Sequence, residues 1–416
     1  MPENFHIDMP EAVRNIIHTI EEHGFKAYAV GGCIRDSILG RNPDDWDITT
    51  SAVPSQIKTF FKRTVDTGIA HGTVTIMIDK TGYEVTTYRI DGEYEDGRHP
   101  KSVEFSDRLV DDLCRRDFTI NAMAYNDTDG FVDEFKGLDD LDTKIIRCVG
   151  EPELRFTEDA LRMMRAIRFS AQLGFTIDEA TWNAIKKLSP SISKISMERV
   201  HVELGKTLMS AHPDYVAQYS EAGLFAPILP VIDNALKSRY KRKILATLQH
   251  TPDNIYLRYA ALFITSTPDE AAKTLRALKL DNKTVNTVSK LVELSKMDIE
   301  ETEPAVRTAL NKYGRDFLPL WHELMMAVIQ ASEDITGISN PAKVKHLLTL
   351  KRLGTDILAR GDCFTIKDLD ITGVDLIEYG LKGTQIGSTL NYLLDIVIEN
   401  PKLNDKATLI GLLDMK

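Results

Sequence analysis

The hydrophobic pattern changes period near residue 153, and no other feature constrains the fold as strongly. Before it, strand and helix signals alternate. Residues 10–23 read as an amphipathic helix with Val13, Ile16, Ile17 and Ile20 on one face, stopped by Gly24. Ala27–Val30 reads as a short apolar strand running into Gly31-Gly32, and Ile34–Leu39 as a short helix ended by Gly40. Thr73–Ile78 and Tyr83–Tyr88 are β-rich runs with a turn expected at Lys80-Thr81-Gly82. After it, Leu154–Leu173, Asp178–Leu188, Met197–Met209 and Asp214–Ala222 all carry the helical period. Helical patterns continue to about residue 400, with breaks near Pro213, Pro227–Pro230, Thr251-Pro252, Thr267-Pro268 and Asn340-Pro341. The expectation is an α/β (α+β) head followed by a long all-α remainder. The 416 residues allow two to four domains. The division expected is a head over 1–150, a neck over 151–210, a body over 211–300 and a tail over 301–416.

A hydrophobic share of 43% supports a real core and excludes wholesale disorder. No apolar run is long enough for a bilayer span, and MPENFHIDMP lacks the basic and apolar parts of a secretory signal. The cysteines Cys33, Cys114, Cys148 and Cys363 are far apart, with no CxxC, so neither a zinc site nor a disulfide scaffold is expected. A reducing cytoplasm is the expected location. The net charge of −11 argues against a nucleic-acid partner until its distribution is considered. Residues 1–150 carry 28 acidic and 17 basic side chains, and the other 266 residues balance at 34 of each. The excess sits in the head, which leaves the helical part free to carry basic stripes.

Within Gly31–Thr50, GGCIRDSILGRNPDDWDITT, two glycines end a strand and open a helix. Glycine permits close backbone approach, and the exposed N–H groups of a helix start suit phosphate. Asp45-Trp46-Asp47 follows. In an extended segment, Asp45 and Asp47 project from one face and Trp46 from the other, toward the core. Two carboxylates side by side repel unless a cation lies between them, and hard oxygens suit Mg²⁺ shared with substrate phosphates. Glu84 on the neighbouring YEVTTY run is the candidate third carboxylate. An isolated DxD is usually just a solvated loop; the glycine turn upstream and the hairpin downstream select the catalytic reading.

The pattern GG-x2-RD-x3-G-x4-DWDI-x-T resembles the signature of polymerase-β-type nucleotidyltransferases. More narrowly, it is similar to the class II tRNA nucleotidyltransferase and bacterial poly(A) polymerase family. Asp112–Ala124 (DLCRRDFTINAMA) and Arg155–Phe169 (RFTEDALRMMRAIRF) resemble that family's second motif and its nucleotide-reading motif, in the same order. Weaker similarity runs through Ile195–Leu208 (ISMERVHVELGKTL) and Gly383–Leu390.

The resemblance implies a polymerase-β-like head and an elongated helical neck, body and tail. It implies addition of C, C and A to a tRNA 3′ end from CTP and ATP, with release of pyrophosphate and two-metal Mg²⁺ chemistry. Asp45 and Asp47, with Glu84, would hold metal. Gly31, Gly32 and Arg35 would support the triphosphate, with Arg116 and Asp117 near the nucleotide and Asn121 bracing the site. Glu158, Asp159, Arg162, Arg165 and Arg168 would line the nucleotide. Asp159 and Arg162, three apart, would share a helix face. An Asp acceptor beside an Arg donor fits the Watson–Crick edges of cytosine and adenine and opposes those of uracil and guanine. The bland alternative is an ordinary i,i+3 ion pair on a solvated helix.

The polar stretch Thr87–Glu104, with Asp96-Gly97-Arg98 at its centre, reads as a loop of the kind the family associates with adding the final A. The tRNA backbone would meet basic side chains of the helical part: Arg165, Arg168, Lys186, Lys187, Lys194, Arg199, Lys206 and the cluster Lys237–Lys243. No HD dipeptide occurs, so the phosphohydrolase domain of some relatives is not expected, nor is the basic C-terminal extension of poly(A) polymerases. Alternatives that share the chemistry are a CC-adding or A-adding enzyme or a poly(A) polymerase. One that does not is an RNA-binding module with an inactive head.

Overall fold

A computed structural model describes residues 6–92 and 103–414. The expected Asp96-Gly97-Arg98 element lies outside the described residues. The chain forms two compact units, Met1–Pro230 and Val231–Lys416.

The first unit begins with α1 (Glu11–Glu22), whose Val13, Ile16, Ile17 and Ile20 are all buried. Next come β1 (Ala27–Val30), α2 (Gly32–Ile38), β2 (Ile48–Thr50), α3 (Pro54–Phe60), β3 (Thr64–Gly68), β4 (Thr73–Ile78) and β5 (Thr81–Thr87). After β6 (Arg89–Asp91), β7 (Val103–Phe105) and α4 (Leu109–Cys114) come β8 (Ala124–Asn126) and β9 (Gly130–Val132). One mixed sheet has the order β3-β4-β5-β2-β1-β8-β9. β2 runs parallel to β5 and antiparallel to β1. The tips of β1, β2 and β5 therefore carry the chemistry-bearing segments on one sheet.

The expected hairpin forms, but its turn differs. Ile78 pairs with Thr81, so the loop is the two residues Asp79-Lys80, both at positive φ (46° and 73°). Positive φ at both positions is the type I′ arrangement, whose twist matches that of the flanking strands. Gly82 lies inside β5 opposite Met77, and a Cβ there would sit 2.8 Å from Thr75 Cγ2. The glycine serves packing rather than the turn.

Then come α5 (Gly137–Asp142), β10 (Ile145–Ile146), α6 (Pro152–Glu158), α7 (Leu161–Leu173), β11 (Thr176–Ile177), α8 (Glu179–Leu188) and α9 (Met197–Leu208). The expected single helix Leu154–Leu173 is two helices. Asp159 is extended (φ −145°, ψ 105°), and its Oδ1 accepts the Leu161 N–H at 3.1 Å. A short Asp side chain that bonds the following backbone competes with helix propagation, and here it wins. α7 buries Leu161, Met164, Ile167 and Phe169.

The second unit is helical among its described residues, from the helix Pro230–Lys237 to the helix Lys406–Asp414. Its distal core gathers Cys363, Leu369, Leu376, Leu393 and Val397. Arg307, 2% exposed, donates to the Ile398 carbonyl at 2.6 Å and to Asp362 at 2.9 Å. Among the described residues no helix is long and apolar enough to cross a membrane.

Candidate active site

Asp45 and Asp47 are exposed, while Trp46 (9% exposed) and Ile48 are buried, which is the alternation of an extended segment entering a sheet. The Val30 N–H donates to the Asp47 carbonyl at 3.0 Å and extends the β1–β2 pairing by one residue. Parallel pairing of Ile48 with Val85 brings Glu84 alongside Asp47. The electrostatics agree. Partial burial raises the Asp47 pKa, Arg116 opposes that rise, and Asp45 adds to it. Glu84 is raised by desolvation, then by Asp47, then by Asp45. Asp47 keeps solvent-facing surface but is hemmed in by enough protein to feel that desolvation. Behind it, the Cys33 thiol donates to the Val30 carbonyl at 3.4 Å and is pushed up to about 12, chiefly by burial and then by Asp47.

Gly31 sits at φ 88°, a conformation that favours glycine. A Cβ there would lie 2.7 Å from Arg116 Nη1, so the missing side chain lets that guanidinium lie against the turn. Arg116 is held by Asp112, a carboxylate the sequence reading passed over. Asp112 is fully buried and accepts from Arg115 Nη2 at 2.5 Å, Thr49 Oγ1 at 3.1 Å and Arg116 Nη2 at 3.3 Å. Burial alone would raise its pKa; Arg115 and then Arg116 outweigh that and lower it. The i,i+3 and i,i+4 spacing to the two arginines was the available signal. Arg116 Nε is buried with no hydrogen-bond partner among the described residues, a spare donor beside Gly31.

Arg35 and Asp117 are not open to a ligand in the way expected. Arg35 Nη1 donates to Asn121 Oδ1 at 2.6 Å, and its other nitrogens hold Asp36 at 2.8 and 2.9 Å. Asn121 Nδ2 donates to Asp117 Oδ1 at 3.0 Å, and Arg165 binds Asp117 Oδ2 through Nε (2.7 Å) and Nη2 (2.6 Å). Burial would raise the Asp117 pKa, but Arg165 and Asn121 hold it well below the usual carboxylate range. The result is a continuous chain, Arg35–Asn121–Asp117–Arg165, buried except at the half-buried Arg165, that links α2 to α7 with Asn121 at its middle.

Asp159 and Arg162 do not share a helix face, because Asp159 stands in the break before α7. Arg162 starts α7, where Nη1 holds Glu158 at 2.6 Å and Nη2 donates to the Arg115 carbonyl at 3.0 Å. Glu158 also pairs with Arg155 at 2.6 Å. Asp159 pairs instead with Arg199 of α9, Nη1 to Oδ1 at 3.2 Å and Nη2 to Oδ2 at 2.7 Å. Spacing along the chain gave no hint of a partner forty residues away.

Arg168, expected to line the nucleotide, is 6% exposed, lies 2.6 Å from Glu203 and covers the Phe169 ring at 3.9 Å, so it braces α7 against α9. Arg199 likewise faces inward to Asp159. Lys186, Lys187, Lys194, Lys206, Lys237, Arg239, Arg242 and Lys243 are exposed and Lys241 is half-buried; Lys187 pairs with Glu153 and Lys237 with Asp233.

Among the described residues no three Asp, Glu, His or Cys side chains close into a complete metal-ligand group. The repelling Asp45, Asp47 and Glu84 fit a cation that draws its remaining ligands from water and substrate phosphate, as Mg²⁺ usually does.

Residues 27–147 match the poly(A) polymerase head-domain family. Residues 174–236 match the family of a polymerase A RNA- and SrmB-binding site, and residues 257–413 the second domain of tRNA nucleotidyltransferases. The chain is 35% identical to the CCA-adding enzyme of Pediococcus pentosaceus, over 99% of the chain and 98% of that protein. It is 37% identical to that of Limosilactobacillus fermentum over 96% and 95%. The crystal structure of the Bacillus stearothermophilus CCA-adding enzyme in complex with CTP superposes with a TM-score of 0.75 at 31% identity, covering 97% of each chain. That of the Thermotoga maritima CCA-adding enzyme complexed with tRNA shares the fold (TM-score 0.60, 21% identity, 99% and 97% covered).

Proposed function

The chain belongs to the CCA-adding enzyme family, and from that premise we propose how its residues carry out the reaction. The activity is template-independent transfer of CMP, CMP and AMP from CTP and ATP to the 3′ end of tRNA. The tRNA 3′ hydroxyl attacks the α-phosphorus of the nucleotide, a P–O bond forms, and pyrophosphate leaves.

Asp45 and Asp47 hold Mg²⁺, with Glu84 as the adjoining carboxylate. When bound, the metal neutralises phosphate charge and favours loss of the attacking hydroxyl's proton. The remaining catalysis is positioning, as in phosphoryl transfer generally. The backbone of Gly31-Gly32 and the Arg116 guanidinium receive the triphosphate, and Asp112 keeps Arg116 aimed. Arg35, Asn121, Asp117 and Arg165 hold that turn at a set distance from α7. Asp159 and Arg162 read the base, Asp159 from a loop and Arg162 from the first turn of a helix. Their different elements suit this role, since each is oriented by its own partners. A mismatched buried polar pair costs about 1–3 kcal/mol, enough for strong selection.

The head, neck, body and tail division at 150, 210 and 300 is retained as the functional one, with exposed cations of the helical part on the tRNA backbone. Cytoplasmic location belongs to the same reading, where tRNA and nucleotides coincide and the four free cysteines stay reduced.

One observation carries the site: sheet register sets Glu84 alongside Asp47, where Glu84 feels both Asp47 and Asp45 and Asp47 feels Asp45, beside Arg116 and the Gly31 turn. The test is incorporation into tRNA transcripts lacking CCA, CC or A, with CTP and ATP supplied separately. Full CCA addition by the native chain and none by Asp45→Ala/Asp47→Ala is expected. Addition of C alone, of A alone or of a long A tail would replace CCA addition with one of its relatives. Normal incorporation by the double variant would sink the metal assignment.

A further inference from the structure

We propose that Arg199 is a positioning residue that sets nucleotide choice by locking the orientation of the Asp159 carboxylate. The inference rests on the reading of Asp159 as the base-reading acceptor and extends it to a residue on another helix.

A carboxylate offers about four lone-pair positions on two oxygens. Asp159 Oδ1 already accepts from the Leu161 N–H at 3.1 Å and from Arg199 Nη1 at 3.2 Å. Oδ2 accepts from Arg199 Nη2 at 2.7 Å. The parallel fork fixes the carboxylate plane, which a single ammonium would not do. One position on Oδ2 remains without a partner among the described residues. Asp159 is thus a one-acceptor reader with a set direction, matched to an exocyclic amine and wrong for a carbonyl oxygen. Without the fork, Asp159 is held only by the Leu161 N–H on Oδ1, and its carboxylate plane can turn about that single contact. A rotating carboxylate reaches the N–H donor of uracil or guanine as well as the amine of cytosine or adenine.

Arg199 is itself held. Four residues along α9, Glu203 pairs with Arg168 of α7 at 2.6 Å, so both contacts leave one face of α9. The Glu203 contact fixes the helix, and the Arg199 contact fixes the reader.

The experiment measures kcat/KM for CTP and UTP on tRNA lacking CCA, with melting temperatures, for Arg199→Met, Arg199→Lys, Asp159→Ala, Asp159→Ala/Arg199→Met and Glu203→Gln. The CTP:UTP preference should fall about tenfold or more in Arg199→Met and by less in Arg199→Lys, since discrimination rests on one or two oriented hydrogen bonds. The double variant should discriminate no worse than Asp159→Ala. Glu203→Gln should melt lower yet keep its preference. If Arg199→Met does not fold, an unchanged preference in Arg199→Lys overturns the proposal. A preference lost in Asp159→Ala but kept in Arg199→Met overturns it while leaving Asp159 as the reader. A preference kept in both removes Asp159 as the reader, and the proposal with it. Equal loss in Glu203→Gln overturns it by showing that any disturbance of α9 suffices.

Discussion

Asp117 and Arg165 meet through two N–H groups on one carboxylate oxygen, 2.6 and 2.7 Å away, in a place where the Asp is almost wholly buried. Such a pair says little about net stability compared with an apolar replacement, but breaking it is costly because one charge stays behind. Asp117→Asn should lower stability by about 1–3 kcal/mol, because the half-buried Arg165 keeps access to water, read as a drop in denaturation midpoint with an unchanged slope. The pH dependence has a definite sign. The folded pKa of Asp117 lies below its ordinary 3.8, so its contribution is complete above that value and lost as pH falls through the depressed one. Acid destabilisation below about pH 4 should therefore be shallower in Asp117→Asn than in the native chain.

The metal should act on stability as well as on rate. Asp47 and Glu84 are raised because they are partly buried and face like charge, so their ionised forms destabilise the fold above their raised pKa values. Mg²⁺ at a hundred times its dissociation constant should stabilise the native chain by about 2.7 kcal/mol. Asp45→Asn/Asp47→Asn should melt higher than the metal-free native chain and show no Mg²⁺ shift. A Mg²⁺ shift retained in that variant would place the metal elsewhere. As pH falls through the raised Asp47 pKa, the Mg²⁺ concentration needed for half-maximal rate should climb.

Gly31→Ala should weaken nucleotide binding as well as folding. The position has φ 88°, which costs an L side chain about 1–3 kcal/mol, and the new methyl would meet Arg116 Nη1 at 2.7 Å. KM for both CTP and ATP should rise together, about tenfold or more, with the choice between bases unchanged. A rise for only one nucleotide would show that the turn touches the base.

Asp112→Asn should release Arg115 and Arg116 from their buried anchor. The neutral amide keeps the shape but gives up two charge-assisted bonds, each worth about 1.5–3 kcal/mol. Triphosphate affinity should fall, and inorganic pyrophosphate should inhibit less well by a similar factor. Unaltered pyrophosphate inhibition would remove Arg116 from the triphosphate site.

What the sequence disclosed follows physical range. Val13, Ile16, Ile17 and Ile20, and the alternation around Trp46, obey short periods, and the structure keeps them. The carboxylate cluster was legible because sheet alternation aims Asp45 and Asp47 without help from distant residues. The Asp159 break was hidden because it depends on one side chain winning a local contest for the Leu161 N–H inside an otherwise helical pattern. Arg168 and Arg199 read from spacing as RNA-facing cations because their acidic partners are remote in sequence, Glu203 on α9 and Asp159 in the break before α7. Asp112 was missed among the many acids of the head, and burial is what distinguishes it.

The Cys33 thiol is buried, donates to the Val30 carbonyl and is pushed up to about 12, chiefly by burial and then by Asp47, so it stays protonated at neutral pH. The same protonation keeps Cys33 a poor nucleophile toward peroxide and alkylating agents. A cysteine packed behind the Asp47 segment, buried and turned to a backbone carbonyl, thus leaves the candidate site indifferent to the redox state of its surroundings.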